Sequence, residues 1–486
     1  MSSGNPSARE IEEQIALLVQ QANRYLPVDV REALEEARHR ETREGARLIL
    51  DIVLENASMA AQSGLPICQD TGIDVVFVEM GPDCTMGGDM AQAINAGIAR
   101  GTHQGFLRNS VCDPVTRQNT GNNTPAVIHV SPSREPGMRI SILPKGCGSE
   151  NMSALKMLPP SAGLQGVQDF VVERVRSAGP NPCPPGIVGV GVGGTMEQAA
   201  LLSKKALLRP VGIRSQRQDL AELEQALLSR INSLGTGPQG LGGDTTCLSV
   251  AVEAFPCHIA SLPVAVNIQC HAARRAEARF TGNEWVTGDV DSVVRPAGAE
   301  ALSSILSIAR PLELPIRKGD IASLKAGDWV KISGKMLTGR DQTHRRLCSL
   351  IDQGLPLPVD LRGQFIYYVG PSPAPPGHVI GSAGPTTSYR MDAYTPKILS
   401  SGVLGVMGKG KRSPEVVKAI AGHGAVYLAT IGGAGAFLSA CIKDARILAF
   451  DDLGPEALYE LEVQDFPAIV INDSKGRDYY QEIAGS

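Results

Sequence analysis

The sequence has 486 residues, of which 43% are hydrophobic and 20% are charged, and its formal net charge at pH 7 is −4. This composition is typical of a globular protein and excludes recruitment of nucleic acid or an anionic membrane by bulk charge. The chain is too long for one ordinary hydrophobic core, so two or three domains are expected. Any anionic ligand must be bound by local cations.

Export and membrane signals are not expected in this chain. No run of about 18 or more apolar residues occurs, which argues against a membrane-spanning helix. The first residues, MSSGNPSAREIEEQIALL, are polar and then amphipathic, unlike a secretory signal. We therefore expect a cytoplasmic protein. Its ten cysteines include no C-x-x-C pair, so most should be buried thiols, with neither a disulfide framework nor a compact zinc site.

In the first half, predicted helices alternate with predicted strands. Apolar periodicity predicts helices over residues 8–26, 29–63, 166–179 and 196–208. Apolar runs predict strands over 73–81, 138–146, 247–255 and 263–273. The glycine-rich turn in LPKGCGSENMSALKML is followed by Ser149 and a helical pattern. Ser149 is therefore expected to be an N-cap beside backbone N–H groups that are free to bind an anion.

A domain boundary is predicted where this pattern fades, near residues 285–315. We expect an N-terminal domain over 1–285, a linker over 286–314 and a C-terminal domain over 315–486. The second unit is rich in predicted strands, which lie in the stretches 324–341, 363–373, 403–412, 425–433 and 467–473. Strands alternate with helices in both halves, so the predicted fold class is α/β or mixed α+β.

Three cysteines lie where a predicted element meets a turn. Cys68 stands in LPICQDTG between the stiffening Pro66 and the permissive Gly72. Cys183 precedes an apolar run in NPCPPGIVGVGVGGT, and Cys270 ends the strand in VNIQCHAARR. The wide separation of these cysteines along the sequence suits a site built from three loops. Three thiolates would leave one iron of a four-iron cubane without a protein ligand, open to act as a Lewis acid. On composition alone, a buried thiol is the favoured explanation for each cysteine.

A glycine run offers a different interpretation. Gly189, Gly191 and Gly194 satisfy the G-x-G-x-x-G pattern between a predicted strand and a helix. In a dinucleotide-binding domain an acidic residue about 20 positions later ends a second strand. Asp219 lies instead in SQRQDLAELEQ, which has a helical pattern. The run is therefore weak evidence for a dinucleotide enzyme.

Polar and cationic side chains recur on glycine-bearing loops of the second half. Arg and Lys on such loops suit capture of a carboxylate, and Arg can capture it bidentately. Together they indicate a dianion pocket, although each alone could be a solvated loop residue. In the first half, Arg108 and His258 lie beside apolar stretches, and the alternative for His258 is a satisfied core histidine. The second-half residues are Arg340, Asp341 and His344 in TGRDQTHRR, Thr386, Thr387 and Arg390 in GPTTSYRMD, and Lys409 in GKGKR.

These motifs together resemble the class I, iron–sulfur-dependent fumarate hydratase family, whose relatives include L-tartrate dehydratase and mesaconase. The resemblance extends from about residue 10 to 480. It is carried, in order, by CQDTG, LRNS, KGCGSEN, CPP with VGGT, HIASLPVAVNIQC, TGRD, GPTTSYRMD and GKGKR. So many motifs in one order are strong evidence, where a single one would mean little.

The resemblance implies a [4Fe–4S] cluster held by Cys68, Cys183 and Cys270, with Cys147 near the site as a non-ligand. It implies that Asp70 is the catalytic acid and Thr386 the catalytic base. It further implies a swivelling β/α/β-type C-terminal domain, a cavity between the two halves and a homodimer. The implied substrate-binding residues are Gln69, Arg108, Gly148, Asn151, His258, Arg340, Thr387, Arg390 and Lys409.

The expected reaction is reversible hydration of fumarate to L-malate, with a small dicarboxylate as the only implied partner besides a second copy of the chain. Ser388 and Tyr389 stand where family members often have small residues, so L-tartrate and mesaconate stay open as substrates. We expect negative charge near the cluster to raise the pKa of Asp70 and make it a proton donor. A non-catalytic iron–sulfur sensor is the alternative from another class.

Overall fold

The computed structural model describes residues 5–85, 88–288 and 300–484. The helices are α1 Ala8–Arg24, α2 Val28–Arg40, α3 Glu44–Ser63, α4 Met90–Gln104, α5 Cys147–Glu150, α6 Gly163–Ala178, α7 Met196–Ala206, α8 Gln218–Asn232, α9 Glu300–Ile308, α10 Lys318–Ala322, α11 Asp341–Asp352, α12 Thr395–Ser400, α13 Pro414–His423, α14 Gly435–Ser439 and α15 Tyr479–Ala484. The strands are β1 Ile73–Met80, β2 Val127–Pro132, β3 Met138–Lys145, β4 Ala154–Leu158, β5 Gly186–Gly193, β6 Cys247–Phe255, β7 Leu262–Gln269, β8 Ala276–Phe280, β9 Trp285–Thr287, β10 Arg310–Glu313, β11 Trp329–Thr338, β12 Phe365–Tyr367, β13 Gly405–Gly408, β14 Val426–Ala429, β15 Ile442–Ala449 and β16 Leu458–Asn472. Helices and strands are mixed in both halves, which confirms the α/β class.

The first-half elements follow the predicted pattern with two corrections. The helical pattern over 29–63 forms two helices, α2 and α3, because the buried Glu41 carboxylate between them accepts hydrogen bonds from the backbone N–H groups of Arg43 and Asp244. Ser149 is not an N-cap. It lies inside the four-residue α5, where its hydroxyl accepts from Lys145 Nζ at 2.9 Å. The following residues form strand β4, which pairs with β7, so the helix expected there is wrong.

Two sheets organise the first half. The strand order is β2-β1-β3-β8-β9 in one sheet and β4-β7-β5-β6 in the other. Helices α1 and α4 pack on the first sheet through a core that includes Ile15, Ile98 and Ile140. Helices α6 and α8 pack on the second through a core that includes Val171, Leu227 and Val266. Both sheets therefore have one face covered by helices that bury apolar side chains.

The G-x-G-x-x-G run has a packing role in this fold. Gly189 and Gly191 lie in β5, where helix α7 crosses very close to the strand. A Cβ at Gly189 would be 2.1 Å from the carbonyl oxygen of Ser203, and a Cβ at Gly191 would be 2.0 Å from that of Ala199. The two glycines thus permit close helix–strand packing, which accounts for this part of the motif without a nucleotide.

The second half is built on a seven-stranded sheet in the order β10-β11-β12-β13-β14-β16-β15. Strands β11 to β14 are parallel neighbours. The long β16 pairs antiparallel with both β14 and β11. Strands β11, β12, β13, β14 and β16 therefore form a closed ring of paired strands. Because β11 to β14 are parallel, the loops that follow them emerge at one edge of the sheet.

The two halves share a hydrophobic core. The largest cluster of buried side chains contains Ile49 and Val53 of α3 together with Phe437 and Leu438 of α14. In the stretch expected as a linker, α9 packs against α3, and β10 pairs with β11. Residues 289–299 of that stretch lie outside the described residues. None of the helices in the described ranges has the length and apolar character needed to cross a membrane.

Candidate active site

A cavity of about 500 Å³, including its open mouth, lies between the two halves. Its wall in the first half comes from the loops before β1 and β5 and after β3 and β7. In the second half it comes from the loops that follow β11, β12, β13 and β14. The predicted site residues that line it are Cys68, Gln69, Asp70, Arg108, Gly148, Cys183, Cys270, Arg340, Thr386, Thr387, Arg390 and Lys409.

Strand pairing explains why distant loops meet here. The antiparallel pair Ile187↔Gln269 places the start of β5 beside the end of β7, which brings Cys183 and Cys270 to the same end of the sheet. In the first sheet, the pair Ile73↔Lys145 places the loop after β3 beside the loop that carries Cys68. Three cysteines that are far apart in sequence therefore reach one cavity.

The cysteine thiols are largely withdrawn from water. Cys183 is 1% exposed and has a positive φ of 58°, a strained conformation for a residue with a side chain. Burial raises the pKa of the Cys183 thiol to about 11, although the ammonium of Lys409 donates to its sulfur at 2.7 Å. Burial also raises the pKa of Cys68, against the favourable charge of Arg274. Metal binding here would have to displace protons from these thiols.

Three cysteine thiolates are the donors that a [4Fe–4S] cluster takes, so the residues present fit such a group. Nearby cations, such as Lys409 and Arg274, favour the thiolate form that such a cluster requires.

A glycine loop that the sequence analysis did not single out closes the cavity. After β14, Gly432 and Gly433 pass directly over the cysteine loops. A Cβ at Gly432 would be 2.3 Å from the sulfur of Cys183, and one at Gly433 would be 2.6 Å from the ring of His271. The imidazole Nε2 of His271 lies 2.7 Å from the carbonyl oxygen of Gly432. The close spacing of glycines in TIGGAG was the available signal.

Asp70 is held as an anion. Burial alone would raise its pKa, but the guanidinium groups of Arg108, Arg274 and Arg340, together with the Lys409 ammonium, outweigh burial and lower the pKa to about 2. Arg108 donates from Nη2 to Asp70 Oδ1 at 2.9 Å. In the chain without a cluster, four cations face this carboxylate and keep its pKa low, and the expected effect of negative charge from a bound cluster stays a prediction.

The cavity has an excess of positive charge. Burial, together with repulsion from Arg340, lowers the pKa of Arg108 to about 10 even though Asp70 is its partner. Two arginines so close together destabilise each other unless an anion lies between or beside them. A dicarboxylate would supply that charge.

The arginines differ in how much of each guanidinium is available to a ligand. Arg390 binds Asp341 through both Nε and Nη2, so one of its two edges suited to bidentate capture is already occupied. Arg108 donates to Asp70 and to the carbonyl oxygen of Gly370. By contrast, the ion pair of Arg340 with Glu456 is long, at 3.7 Å, and its buried Nε has no partner in the described part of the chain.

The threonine loop faces the same space. Thr386 is buried, and within the described ranges its hydroxyl makes no hydrogen bond, whereas its backbone N–H donates to the carbonyl oxygen of Tyr368 at 2.7 Å. Opposite lies Gly148, where a Cβ would be 2.9 Å from Lys409 Nζ and 3.3 Å from the hydroxyl oxygen of Thr387. The absent side chain at Gly148 keeps this part of the cavity open.

Three expected residues are not part of the cavity wall. His258 is exposed in the turn between β6 and β7, at the opposite end of β7 from Cys270, so it is neither at this cavity nor in the core. Asn151 caps α5 with its side chain exposed. Cys147 is exposed at the start of α5, next to the lining residue Gly146.

Arg274 is a lining residue that the sequence analysis missed. It is 2% exposed, and its Nη1 donates to the carbonyl oxygen of Asp70 at 2.5 Å. Its position four residues after Cys270 in QCHAARR was the available signal, but an arginine pair after a strand has no specific meaning by itself.

Comparison with known proteins places these features in a family. The family described as "Fumarate hydratase (Fumerase)" matches residues 12–279. A second one, "Fumarase C-terminus", matches residues 299–483. The two matches cover the first-half sheets and the closed second-half sheet, so both walls of the cavity fall within them.

Individual relatives agree. A "Putative fumarate hydratase class I" from Geobacillus stearothermophilus is 33% identical over 497 residues, covering 96% of this chain and 95% of that protein. "Fumarate hydratase class I, anaerobic" from Escherichia coli is 32% identical over 88% of this chain and 82% of that protein. A "Putative L(+)-tartrate dehydratase subunit alpha" from Methanocaldococcus jannaschii is 44% identical, covering 56% of this chain and 98% of that protein. The chain therefore belongs to the fumarate hydratase family and is an enzyme of the hydro-lyase type.

Proposed function

We propose that this enzyme catalyses the reversible hydration of fumarate to L-malate with a [4Fe–4S] cluster. The observation that carries the proposal is the convergence of three cysteines and five arginines or lysines from both halves on one cavity. The relatives named as class I fumarate hydratases, matched over most of the chain, support the same substrate.

In this proposal Cys68, Cys183 and Cys270 hold the cluster. When bound, the cluster supplies a Lewis-acidic iron without a protein ligand, which makes the C2 hydroxyl of malate a better leaving group. All other steps are assigned to side chains of the chain itself.

Substrate carboxylates are bound by the cations of the cavity. Arg340 is the main candidate, since its guanidinium has the fewest partners, and Arg108, Arg390 and Lys409 add positive charge around it. In hydration, negative charge builds on one carboxylate as the water oxygen adds to C2, and this charge is removed when C3 receives its proton. Fixed cations beside that carboxylate stabilise the transition state without reorganisation.

Proton transfer is assigned to Asp70 and Thr386. In the hydration direction the Asp70 carboxylate, which faces four cations in the chain without a cluster, accepts a proton from the attacking water. Thr386 then provides the proton at C3. Its hydroxyl is a poor acid alone, so the surrounding cations must stabilise its anion. In dehydration the two roles reverse, which makes Thr386 the base and Asp70 the acid.

L-Tartrate dehydration is the second candidate. It is favoured by the 44% identity of residues in the first half to the archaeal protein named as a tartrate dehydratase subunit. Mesaconate hydration is a further variant of the same chemistry. The three reactions share the carboxylate-binding residues and differ in the substituent that the cavity must accept.

The test is to give the reconstituted enzyme fumarate, L-tartrate and mesaconate in parallel under anaerobic conditions and to measure turnover of each. We expect the highest kcat/KM with fumarate. Its turnover is measured as the loss of the fumarate absorbance. Cys270→Ser should lose iron and activity together, while the control Cys257→Ser, an exposed residue on the β6–β7 turn, should keep both. Full activity of iron-free protein would contradict the proposal. An iron-loaded protein that turns over none of the acids would instead indicate a sensor.

We also propose that the enzyme is a cytoplasmic homodimer. The family resemblance supports the dimer. Size-exclusion chromatography with light scattering tests the dimer, and a monomeric mass at micromolar concentration would contradict it.

A further inference from the structure

Arg274 lies in the cavity but has no role in the proposed reaction so far. It follows Cys270 by four residues and is almost fully buried. Burying a guanidinium is costly, and a buried one is normally committed to specific acceptors. The acceptors of Arg274 therefore indicate what it does.

Both hydrogen bonds of Arg274 run from its Nη1 to groups around the Cys68 turn. One goes to the backbone carbonyl oxygen of Asp70 at 2.5 Å, and the other to Oδ1 of Asn23 at 3.2 Å. The opposite edge of the guanidinium faces the loop after β3, where a Cβ at Gly146 would be 3.0 Å from Arg274 Nη2. Arg274 is thus enclosed between α1, the Cys68 turn and the loop after β3.

Asn23 is itself fixed, so it can orient the arginine. This residue near the end of α1 is 1% exposed, and its Nδ2 donates to the carbonyl oxygen of Val19 at 2.9 Å. The backbone carbonyl oxygen of Asn23 accepts a hydrogen bond from the backbone N–H of Ile67 at 2.8 Å. Helix α1 therefore holds the Cys68 turn directly through Ile67 and indirectly through Arg274.

We propose that Arg274, oriented by Asn23, is a positioning residue that sets the backbone of the Cys68–Asp70 turn in the hydration reaction. Arg108 fixes the Asp70 carboxylate, whereas Arg274 fixes the peptide group behind it. A planar guanidinium with a charge-assisted bond to a buried carbonyl holds that group more rigidly than a neutral donor does. This inference rests on the proposed function, because it assigns Asp70 a role in turnover.

The test compares Arg274→Gln and Arg274→Lys with Arg275→Gln as a matched control. Arg275 is the next residue and also makes a partly buried ion pair, with Asp29 at 2.6 Å, but it has no contact with the cavity. The holoenzyme variants are examined by hydrogen–deuterium exchange, by iron content and by steady-state kinetics per iron-loaded protomer.

We expect Arg274→Gln to speed amide exchange in residues 65–72 and to lower kcat about 100-fold with little change in KM, as a displaced catalytic group does. Arg274→Lys should recover at least a tenth of the lost activity. Arg275→Gln should leave both the 65–72 exchange and kcat within about twofold of wild type.

Unchanged exchange over 65–72 in Arg274→Gln would overturn the positioning role. So would a loss of kcat that Arg275→Gln reproduces, because the effect would then be general destabilisation. If the wild-type enzyme turns over none of the three acids, the proposed function fails, and the exchange comparison still decides whether Arg274 orders the turn.

Discussion

The cations of the cavity divide, residue by residue, into those already engaged and those still available to a ligand. Arg390 is engaged by Asp341 and Arg108 by Asp70, whereas the ion pair of Arg340 with Glu456 is long, at 3.7 Å. Such a division is not visible in a sequence, where all three read as arginines on polar loops. We therefore expect substitution of Arg340 to weaken substrate recognition more than substitution of Arg108 or Arg390.

Replacing Arg340 should reveal this difference in kinetics. We expect Arg340→Gln to lower kcat/KM for fumarate at least 30-fold, because a bound carboxylate would lose its buried charged partner, an effect of about 2 kcal/mol or more. The control Arg346→Gln, which removes an exposed ion pair with Asp452, should change kcat/KM less than twofold. Equal effects of the two variants would contradict the assignment of Arg340.

A second residue, Asp74, predicts a pH dependence of stability. Burial raises the pKa of Asp74 to about 7, although Asn123 donates a hydrogen bond to it and Arg274 is nearby. The folded protein therefore retains a proton that the unfolded chain releases near pH 4. This contribution to stability is complete below pH 4 and is lost as the pH rises to 7, at up to about 1.4 kcal/mol per pH unit.

The variant Asp74→Asn cannot release that proton. Urea unfolding of metal-free protein at pH 5 and pH 7.5 should show a smaller loss of the free energy of unfolding for Asp74→Asn than for wild type. Parallel pH profiles for the two proteins would show that the carboxyl of Asp74 does not titrate in this range.

Among elements, the loop that follows β14 has no room for a side chain at Gly432. Gly432→Ala would place a Cβ 2.3 Å from Cys183 Sγ and 2.7 Å from Lys409 Cδ. We expect loss of bound iron and at least a tenfold loss of activity, because the cysteine and the loop cannot both keep their positions. Iron analysis and the fumarate assay measure this.

The control is Gly422→Ala in α13, where a Cβ has nothing within 4 Å. It should keep iron and activity, and as an alanine in a helix it should not lower stability. Retention of iron by Gly432→Ala would mean that the loop can move away from Cys183 at little cost.

Elements with a clear hydrophobic periodicity could be predicted from the sequence, whereas elements determined by tertiary contacts could not. The helix over 8–26 and the strands over 73–81 and 247–255 appear nearly as expected. Residues 154–158 form a strand against their pattern, because pairing with β7 overrides local preference. The break between α2 and α3 depends on Glu41 reaching Asp244, a partner far along the chain.

The same limit applies to the site. The cysteines and the glycine-bearing cation loops carry local motifs, so their chemistry could be inferred before their geometry. The occupied edge of Arg390, the buried contacts of Arg274 and the outward position of His258 depend on which strand ends meet. No single stretch of sequence contains that information.

Taken as a whole, the molecule depends on contact between its halves. Buried side chains of α3 and α14 belong to one core. The buried Asn56 amide donates to the carbonyl oxygens of Ile67 and Gly433, both at 3.1 Å, and accepts from the N–H of Phe437 at 2.9 Å. The cysteine turn and the glycine loop are thereby held by one side chain from opposite sides of the cavity.

We therefore expect fragments 1–288 and 289–486 to be aggregation-prone when expressed singly and to form an active complex when co-expressed. The archaeal relative named as a subunit alpha is matched over 98% of its length but covers only 56% of this chain, which agrees with association of separate chains. Co-purification and the fumarate assay test this. Stable, monodisperse single fragments that do not bind each other would contradict it.

Closure of the second-half sheet has a consequence for biosynthesis. β16 joins β14 to β11, and the loops after those strands carry Gly432 and Arg340. A translating ribosome must extend the chain through Asn472 before these loops can take their places. The three cysteines of the proposed cluster site all lie in the first half, so the loops that close over them are the last part of the cavity to form.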